Sequence, residues 1–256
     1  MKRIVYFGVL LCTMLLSACL PAATPAPLPE ETSTPTATPT STPTIVWFPP
    51  TATPTPFPTH PVTPTPDYRP GLGEIILKDD FSDPGPWALG RTSSGGAALG
   101  KNELSLVISE PGAYEYTVRG EPILNNFYLE ITASPTLCRG LDEYGLLIRY
   151  QSPIDFYRFS LTCDGQVRLD RLVNGKASSP QPITFSGSFP PGAPSISRLA
   201  VWAQNEELRF FINDQYQFSV KDPLLLGGNI GLFARSAGDN AVTVSFSDLV
   251  IREITQ

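Results

Sequence analysis

Charged side chains that could bind a sugar recur at alternating positions between residues 145 and 172. If the chain is extended there, side chains two residues apart project from the same face. Guanidinium and carboxylate groups make paired hydrogen bonds, and an aromatic ring packs against the C–H side of a sugar. The predicted glycan-binding residues are the charged ones and the aromatic expected nearest to them: Arg149, Arg158, Arg168, Asp170 and Trp202. The alternative is that these charges only pair across neighbouring strands in solvent.

Histidine chemistry is excluded from most of the chain, because the single histidine, His60, lies in a proline-rich segment. Neither a Ser-His-Asp triad nor a histidine zinc site can form within the rest of the chain, because that part contains no histidine. The adjacent pairs Asp142-Glu143 and Glu206-Glu207 would point to opposite faces of a strand, which is unsuited to flanking a glycosidic bond at about 5 to 9 Å. No catalytic residue is predicted, although a hydrolase or lyase acting through Tyr, Arg and carboxylates stays open.

Aspartates near expected strand ends could supply oxygen ligands to a structural Ca²⁺ ion. They are Asp79, Asp80, Asp83, Asp239 and Asp248. The competing role, which we expect, is capping of turns or contact with solvent. No other metal and no cofactor is predicted.

The N-terminus has the order of a bacterial export signal. Lys2 and Arg3 precede an apolar run, 4–16, and small residues then lead to Cys19. The run is too short for a membrane-spanning helix, which needs about 20 apolar residues. We therefore expect cleavage that removes residues 1–18.

Leu16-Ser17-Ala18-Cys19 resembles the lipobox of bacterial lipoproteins. The resemblance implies that the Cys19 thiol forms a thioether to diacylglycerol and that its amine is often acylated as well. Such chains would hold the protein to a lipid membrane. The predicted location is the cell membrane, with the protein facing the extracytoplasmic side. The alternative is an ordinary signal peptide in which Cys19 is incidental.

Residues 19–71 are dominated by threonine and proline, as in Thr53-Pro54-Thr55-Pro56. Frequent proline removes amide donors and favours extended backbone, so neither helix nor sheet can propagate. We predict a disordered stalk that could reach about 150 Å at roughly 3.1 Å per residue. Residues 72–256 remain for one folded domain.

Cys138 and Cys163 are the two cysteines of the predicted domain. An exported protein matures where thiols oxidise, so we predict a disulfide between them. The alternatives are two separate thiols or, less favoured, a metal site, for which two cysteines without histidine are a poor ligand set.

Strand-like alternation dominates the domain, as in Leu199, Val201 and Ala203 against Ala200 and Trp202. Two-residue turn signals separate the alternating runs, and their residues tolerate positive φ. The predicted hairpin turns are Lys101-Asn102, Asp164-Gly165, Asn174-Gly175, Asn205-Glu206 and Asn213-Asp214. About twelve short strands without a helix predict an all-β antiparallel sandwich.

Segments 79–83, 144–150, 229–233 and 244–251, with Trp87, resemble the concanavalin A-like jelly-roll domains. Within that superfamily they are most similar to the laminin-G-like and 3-keto-disaccharide hydrolase-like domains. The resemblance implies that the last strand pairs beside the first and that a concave sheet could bind glycan.

The net charge is −6, and the predicted domain has no basic cluster. Nucleic acid is therefore not an expected partner, since phosphate neutralisation needs grouped Lys and Arg. The sequence predicts a monomeric lipoprotein whose domain binds glycan or another envelope component without catalysis. The alternatives are a sugar hydrolase of the 3-keto-disaccharide type and a protein-interaction module.

Overall fold

The computed structural model describes residues 66–255, so the predicted signal peptide, Cys19 and nearly all of the predicted stalk lie outside the described residues. The strands in chain order are β1 (Leu72–Asp79), β2 (Gly90–Arg91), β3 (Gly95–Leu99), β4 (Leu104–Ile108), β5 (Tyr114–Leu124), β6 (Phe127–Leu137), β7 (Glu143–Ser152), β8 (Asp155–Thr162), β9 (Gln166–Val173), β10 (Lys176–Phe185), β11 (Ser197–Gln204), β12 (Glu207–Ile212), β13 (Gln215–Lys221), β14 (Gly228–Arg235) and β15 (Val242–Ile254). Residues 66–255 include no helix long and apolar enough to cross a membrane.

The strands form two antiparallel sheets. The nine-stranded sheet has the order β13-β12-β11-β6-β15-β4-β3-β2, and β1 pairs with the second half of β15. The six-stranded sheet has the order β10-β9-β8-β7-β14-β5. The pairing of β1 with β15 confirms that the last strand returns beside the first.

The core lies between the two sheets and follows the predicted alternation. Leu199 and Val201 of β11 face inward, as do Phe159 of β8 and Phe210 of β12. The rings of Phe159 and Phe210 meet across the sandwich at 4.8 Å between centroids. Full burial of such side chains stabilises the fold by about 1.5 to 3 kcal/mol each.

The predicted hairpin turns are confirmed, and their backbone explains their residues. Asn102, Asn174, Asn205 and Asn213 all have φ between 48° and 58°. Asparagine tolerates this left-handed conformation better than most residues, because its short side chain forms local hydrogen bonds.

The predicted disulfide between Cys138 and Cys163 is confirmed, with 5.9 Å between the Cα atoms. Cys138 directly follows β6 of the nine-stranded sheet, and Cys163 directly follows β8 of the six-stranded sheet. The bridge therefore joins the two sheets covalently at one end of the sandwich.

The segment before β1, residues 67–71, lies against the outer face of the nine-stranded sheet, and we call it the strap. The indole Nε1 of Trp202 donates a hydrogen bond to the carbonyl of Pro70 at 2.9 Å. The ring of Tyr68 stacks on Tyr216 at 4.2 Å, and Arg69 pairs with Asp214 at 3.1 Å. The chain thus packs on the sandwich before its first strand begins.

Candidate functional site

The outer face of the six-stranded sheet carries a connected group of charged side chains, which we call the polar strip. It consists of Glu143 on β7, Arg158 on β8, Arg168 and Asp170 on β9, and Arg235 on β14. Nη2 of Arg158 lies 2.6 Å from Asp170 Oδ2, and Nη2 of Arg168 donates to both Glu143 oxygens at 2.9 and 3.0 Å. Arg235 Nη1 reaches Glu143 Oε1 at 3.1 Å. Each carboxylate therefore forms ion pairs with two guanidinium groups, since Arg168 Nε also lies 3.1 Å from Asp170 Oδ2.

The polar strip is layered. The side chains of Glu143 and Asp170 are only 5% and 8% exposed. Those of Arg158, Arg168 and Arg235 are 18%, 21% and 41% exposed. A molecule that approaches from solvent therefore meets guanidinium nitrogens first, with the carboxylates beneath them.

A row of aromatic rings crosses the same face beside the polar strip, and we call it the aromatic row. Its members are Tyr114 and Tyr116 on β5, Phe233 on β14, Tyr150 on β7 and Phe156 on β8. Ring centroids of neighbours lie 5.6 to 6.2 Å apart, for example 5.7 Å between Tyr114 and Phe233 and 5.8 Å between Tyr150 and Phe156. Tyr116 is 39% exposed, so the row offers an open ring to solvent.

Arg158 joins the polar strip to the aromatic row. Its guanidinium carbon lies 5.6 Å from the Phe233 ring centre and 5.9 Å from that of Tyr114. Burial lowers the pKa of Arg158, but the hydrogen bond and charge of Asp170 outweigh it, so the pKa lies above its usual value. Arg158 therefore stays charged over the whole physiological range.

Two hydroxyl groups on this face have no hydrogen-bond partner among the residues that the structure describes. They are the Tyr114 hydroxyl and Ser160 Oγ. Burial raises the pKa of Tyr114 well above its usual value, so its hydroxyl keeps its proton and can donate. An unpaired buried polar group costs about 1 to 3 kcal/mol, and both of these hydroxyl oxygens are screened from solvent.

An open depression of about 610 Å³ adjoins the aromatic row where β7 ends and β14 begins. Tyr150, Asn125, Gln151 and Asn229 are among the residues that line it. Amide groups both donate and accept, which suits them to hydroxyl groups. The depression therefore extends the face on which a ring and polar groups lie side by side.

The structure brings together three of the predicted glycan-binding residues, Arg158, Arg168 and Asp170, on the predicted face. Sequence reasoning missed Glu143 and Arg235. Glu143 was considered only as half of an adjacent carboxylate pair, whereas it is the first residue of β7 and contacts Arg168 on this face. These contacts depend on the register of β14, β7 and β9 relative to one another. Alternation within a single strand does not predict that register.

The predicted place of Arg149 on this face is wrong. Pairing of β7 is irregular on both sides of Arg149, whose φ is 52°, and this bulge turns the side chain away from the face. Arg149 is fully buried. Its guanidinium donates to the carbonyl oxygens of Leu225 at 2.9 Å, Asn205 at 2.7 Å and Asn125 at 3.4 Å.

The predicted place of Trp202 near this face is also wrong. Trp202 lies on β11, in the other sheet, where it is 2% exposed beneath the strap. The guanidinium of Arg209 covers its ring at 4.3 Å. Alternation assigned Trp202 correctly to an outward face, but it cannot say to which sheet a strand belongs.

Asp79, Asp80 and Asp83, three of the five aspartates considered for Ca²⁺, accept hydrogen bonds within the protein. Asp79 accepts hydrogen bonds from Trp87 Nε1 at 2.9 Å and Arg119 Nε at 3.2 Å, and Asp80 and Asp83 each accept one from a backbone amide two residues on. Residues 66–255 contain no group of three or more His, Cys, Asp or Glu side chains that could hold a metal ion.

Comparison with known proteins gives structural likeness only. No protein-family model and no curated protein sequence matches the chain. Carbohydrate-binding module CBM66 of Bacillus subtilis shares 14% identity over 66% of this chain and 96% of its own, with a TM-score of 0.51. A B. subtilis protein of unknown function with a galectin-like fold shares 12% identity over 72% of this chain and 99% of its own, with a TM-score of 0.57. A Bacillus licheniformis β-glucanase shares 12% identity over the same two fractions, with a TM-score of 0.52.

The fold is a jelly-roll β-sandwich. At these identities the likeness concerns the fold alone, and it confirms the jelly roll predicted from the sequence. The finer resemblance to laminin-G-like and 3-keto-disaccharide hydrolase-like domains stays a prediction. In this jelly roll the polar strip and the aromatic row share the outer face of the six-stranded sheet.

Proposed function

We propose that the protein binds glycan, without catalysis, on the outer face of the six-stranded sheet. The observation that supports this most is the polar strip lying beside the aromatic row, with Arg158 in contact with both. Sugars present hydroxyl groups at their edges and C–H surface on their faces, and such a site offers a partner to each. The name of CBM66 as a carbohydrate-binding module agrees with this proposal.

A non-catalytic role is favoured by the position of the carboxylates. Glycosidases flank the scissile bond with two carboxyl groups that touch the substrate. Glu143 and Asp170 instead lie under guanidinium groups and are almost fully buried. The competing candidate is a sugar hydrolase of the 3-keto-disaccharide type, and the likeness to a β-glucanase is the observation in its favour.

Glycan-array binding by the purified full chain, followed by calorimetry on the best ligand, tests the site. Arg158→Ala is expected to weaken binding about 30-fold, which corresponds to about 2 kcal/mol for a central contact residue. Arg198→Ala is the matched control, because Arg198 lies on the nine-stranded sheet and pairs only with exposed Asp214 among the described residues. The Arg198→Ala variant should bind the glycan with the same affinity as the unmodified chain.

Three results would contradict the proposal. If Arg158→Ala and Arg198→Ala lowered the affinity for glycan equally, this face would not be the binding site. Reducing ends or keto-sugar products formed during incubation would favour the hydrolase. Binding to no glycan at all would leave a protein-interaction module as the better description.

The same proposal includes a lipid anchor on Cys19 that holds the protein at the extracytoplasmic side of the cell membrane. The order of Lys2-Arg3, the apolar run and Ser17-Ala18-Cys19 supports it. Mass spectrometry of protein from the native host should find an N-terminal Cys19 carrying diacylglycerol. Cys19→Ser should abolish lipid attachment and release the protein from membranes, with Cys12→Ser as the control. An unacylated Cys19, or a chain that still begins at Met1, would contradict the anchor.

A further inference from the structure

We infer that the glycan bound by this face is acidic, carrying a carboxylate or a sulfate group. The inference rests on the proposed glycan-binding function and concerns the class of ligand. It follows from the layering of the polar strip, in which Glu143 and Asp170 are buried beneath three guanidinium groups. A ligand therefore meets an outer layer that consists of donors.

A donor layer discriminates between sugars. Neutral hydroxyl groups bind best where donors and acceptors alternate, because each hydroxyl both donates and accepts. A carboxylate or sulfate group only accepts, and guanidinium groups bind it through paired, charge-assisted hydrogen bonds. The accessible surface of the polar strip thus matches an anion better than a neutral hydroxyl.

Arg235 is the residue placed to make the first contact. It is the most exposed member of the polar strip, and among residues 66–255 only its Nη1 is engaged, with Glu143. It pairs across the sheet with Tyr114, so its side chain stands beside the aromatic row. A sugar ring against that row would therefore bring its acidic group to Arg235.

The charge of the strip contrasts with that of the whole chain. Three arginines face two carboxylates in the strip, whereas the chain carries a net charge of −6. Non-specific attraction does not draw an anionic glycan to such a protein. Acidic-glycan binding would therefore be local to this face and would weaken with salt, because exposed charges are screened over about 10 Å at 0.1 M.

Matched glycan pairs test the inference with the full chain. The array carries uronate-containing glycans beside their carboxyl-reduced forms, and sulfated glycans beside their desulfated forms. We expect the bound glycans to be acidic and removal of the acidic group to weaken binding at least about tenfold. If binding weakens only when the carboxyl group is reduced, the ligand contains a uronate. If binding weakens only when the sulfate is removed, the ligand is a sulfated sugar.

Arg235→Gln provides the second measurement. It should lower affinity for the acidic glycan about tenfold and flatten its salt dependence, while Arg198→Gln on the opposite sheet changes neither. Equal binding of both members of every pair, or preference for the neutral member, would overturn the inference and leave the proposed glycan binding intact. Binding to no member of the array would overturn both.

Discussion

Replacing Arg149 by methionine is expected to lower the free energy of unfolding by about 4 kcal/mol, because buried carbonyl groups left unpaired cost about 1 to 3 kcal/mol each. The guanidinium of Arg149 donates to carbonyl oxygens in three connections: β5–β6, β11–β12 and β13–β14. Two of these connections pass between the sheets. Methionine fills a similar volume but donates nothing, so the loss would come from hydrogen bonds rather than from a cavity.

Denaturant unfolding of the full chain measures the effect. Arg149→Lys should recover little of the stability, because one ammonium group cannot reproduce the planar fork that reaches three acceptors. Burial lowers the pKa of Arg149, and nearby Tyr157 and Asp222 oppose that shift. Arg139→Met is the matched control, since Arg139 is exposed and should change stability by less than about 0.5 kcal/mol. An unfolding midpoint of Arg149→Met equal to that of the control would contradict this role.

Replacing Gly145 by alanine is expected to destabilise the sandwich by a similar amount, about 4 kcal/mol, from backbone strain and overpacking together. Gly145 lies in β7, a central strand of the six-stranded sheet, with φ of 154°. A Cβ atom there would come within 2.1 Å of the backbone oxygen of Phe159 on the neighbouring strand. That oxygen cannot move away without opening the pairing between β7 and β8.

Gly187→Ala is the control for this substitution. Gly187 is exposed, and an added Cβ would have no atom within 4 Å. At low temperature, circular dichroism should show a native spectrum for Gly187→Ala, and for Gly145→Ala if that variant folds. On heating, Gly145→Ala alone should unfold at a much lower temperature. A thermal midpoint within about 2 °C of the control would show that the strand tolerates the side chain.

The parts of the fold that were predictable depend on local chemistry. Asn102, Asn174 and Asn213 mark turns because their backbones must adopt positive φ, a requirement contained in two adjacent residues. The inward direction of Leu199 and Val201 was predictable because side chains in a strand alternate between two faces. The Cys138–Cys163 disulfide was predictable because these are the two cysteines of the domain in a chain whose sequence predicts export.

The candidate site was predictable only in part, since it depends on which strands become neighbours. Arg158, Arg168 and Asp170 share a face within one β-hairpin, so alternation was enough to group them. Glu143 and Arg235 meet because β14 inserts beside β7, a pairing between residues far apart in the chain. Arg149 was assigned to the wrong face because a bulge shifted the alternation of side chains in β7, and no residue type near Arg149 predicts that bulge.

The strap determines how the sandwich would respond to tension applied through its N-terminal side. The strap crosses the nine-stranded sheet, whereas the polar strip lies on the outer face of the six-stranded sheet. A pull on the chain before residue 66 would act first on the Tyr68–Tyr216 stack and the Trp202 hydrogen bond to Pro70, and only afterwards on β1. These contacts would yield before any strand is drawn out, and they lie on the sheet opposite the one that carries the polar strip.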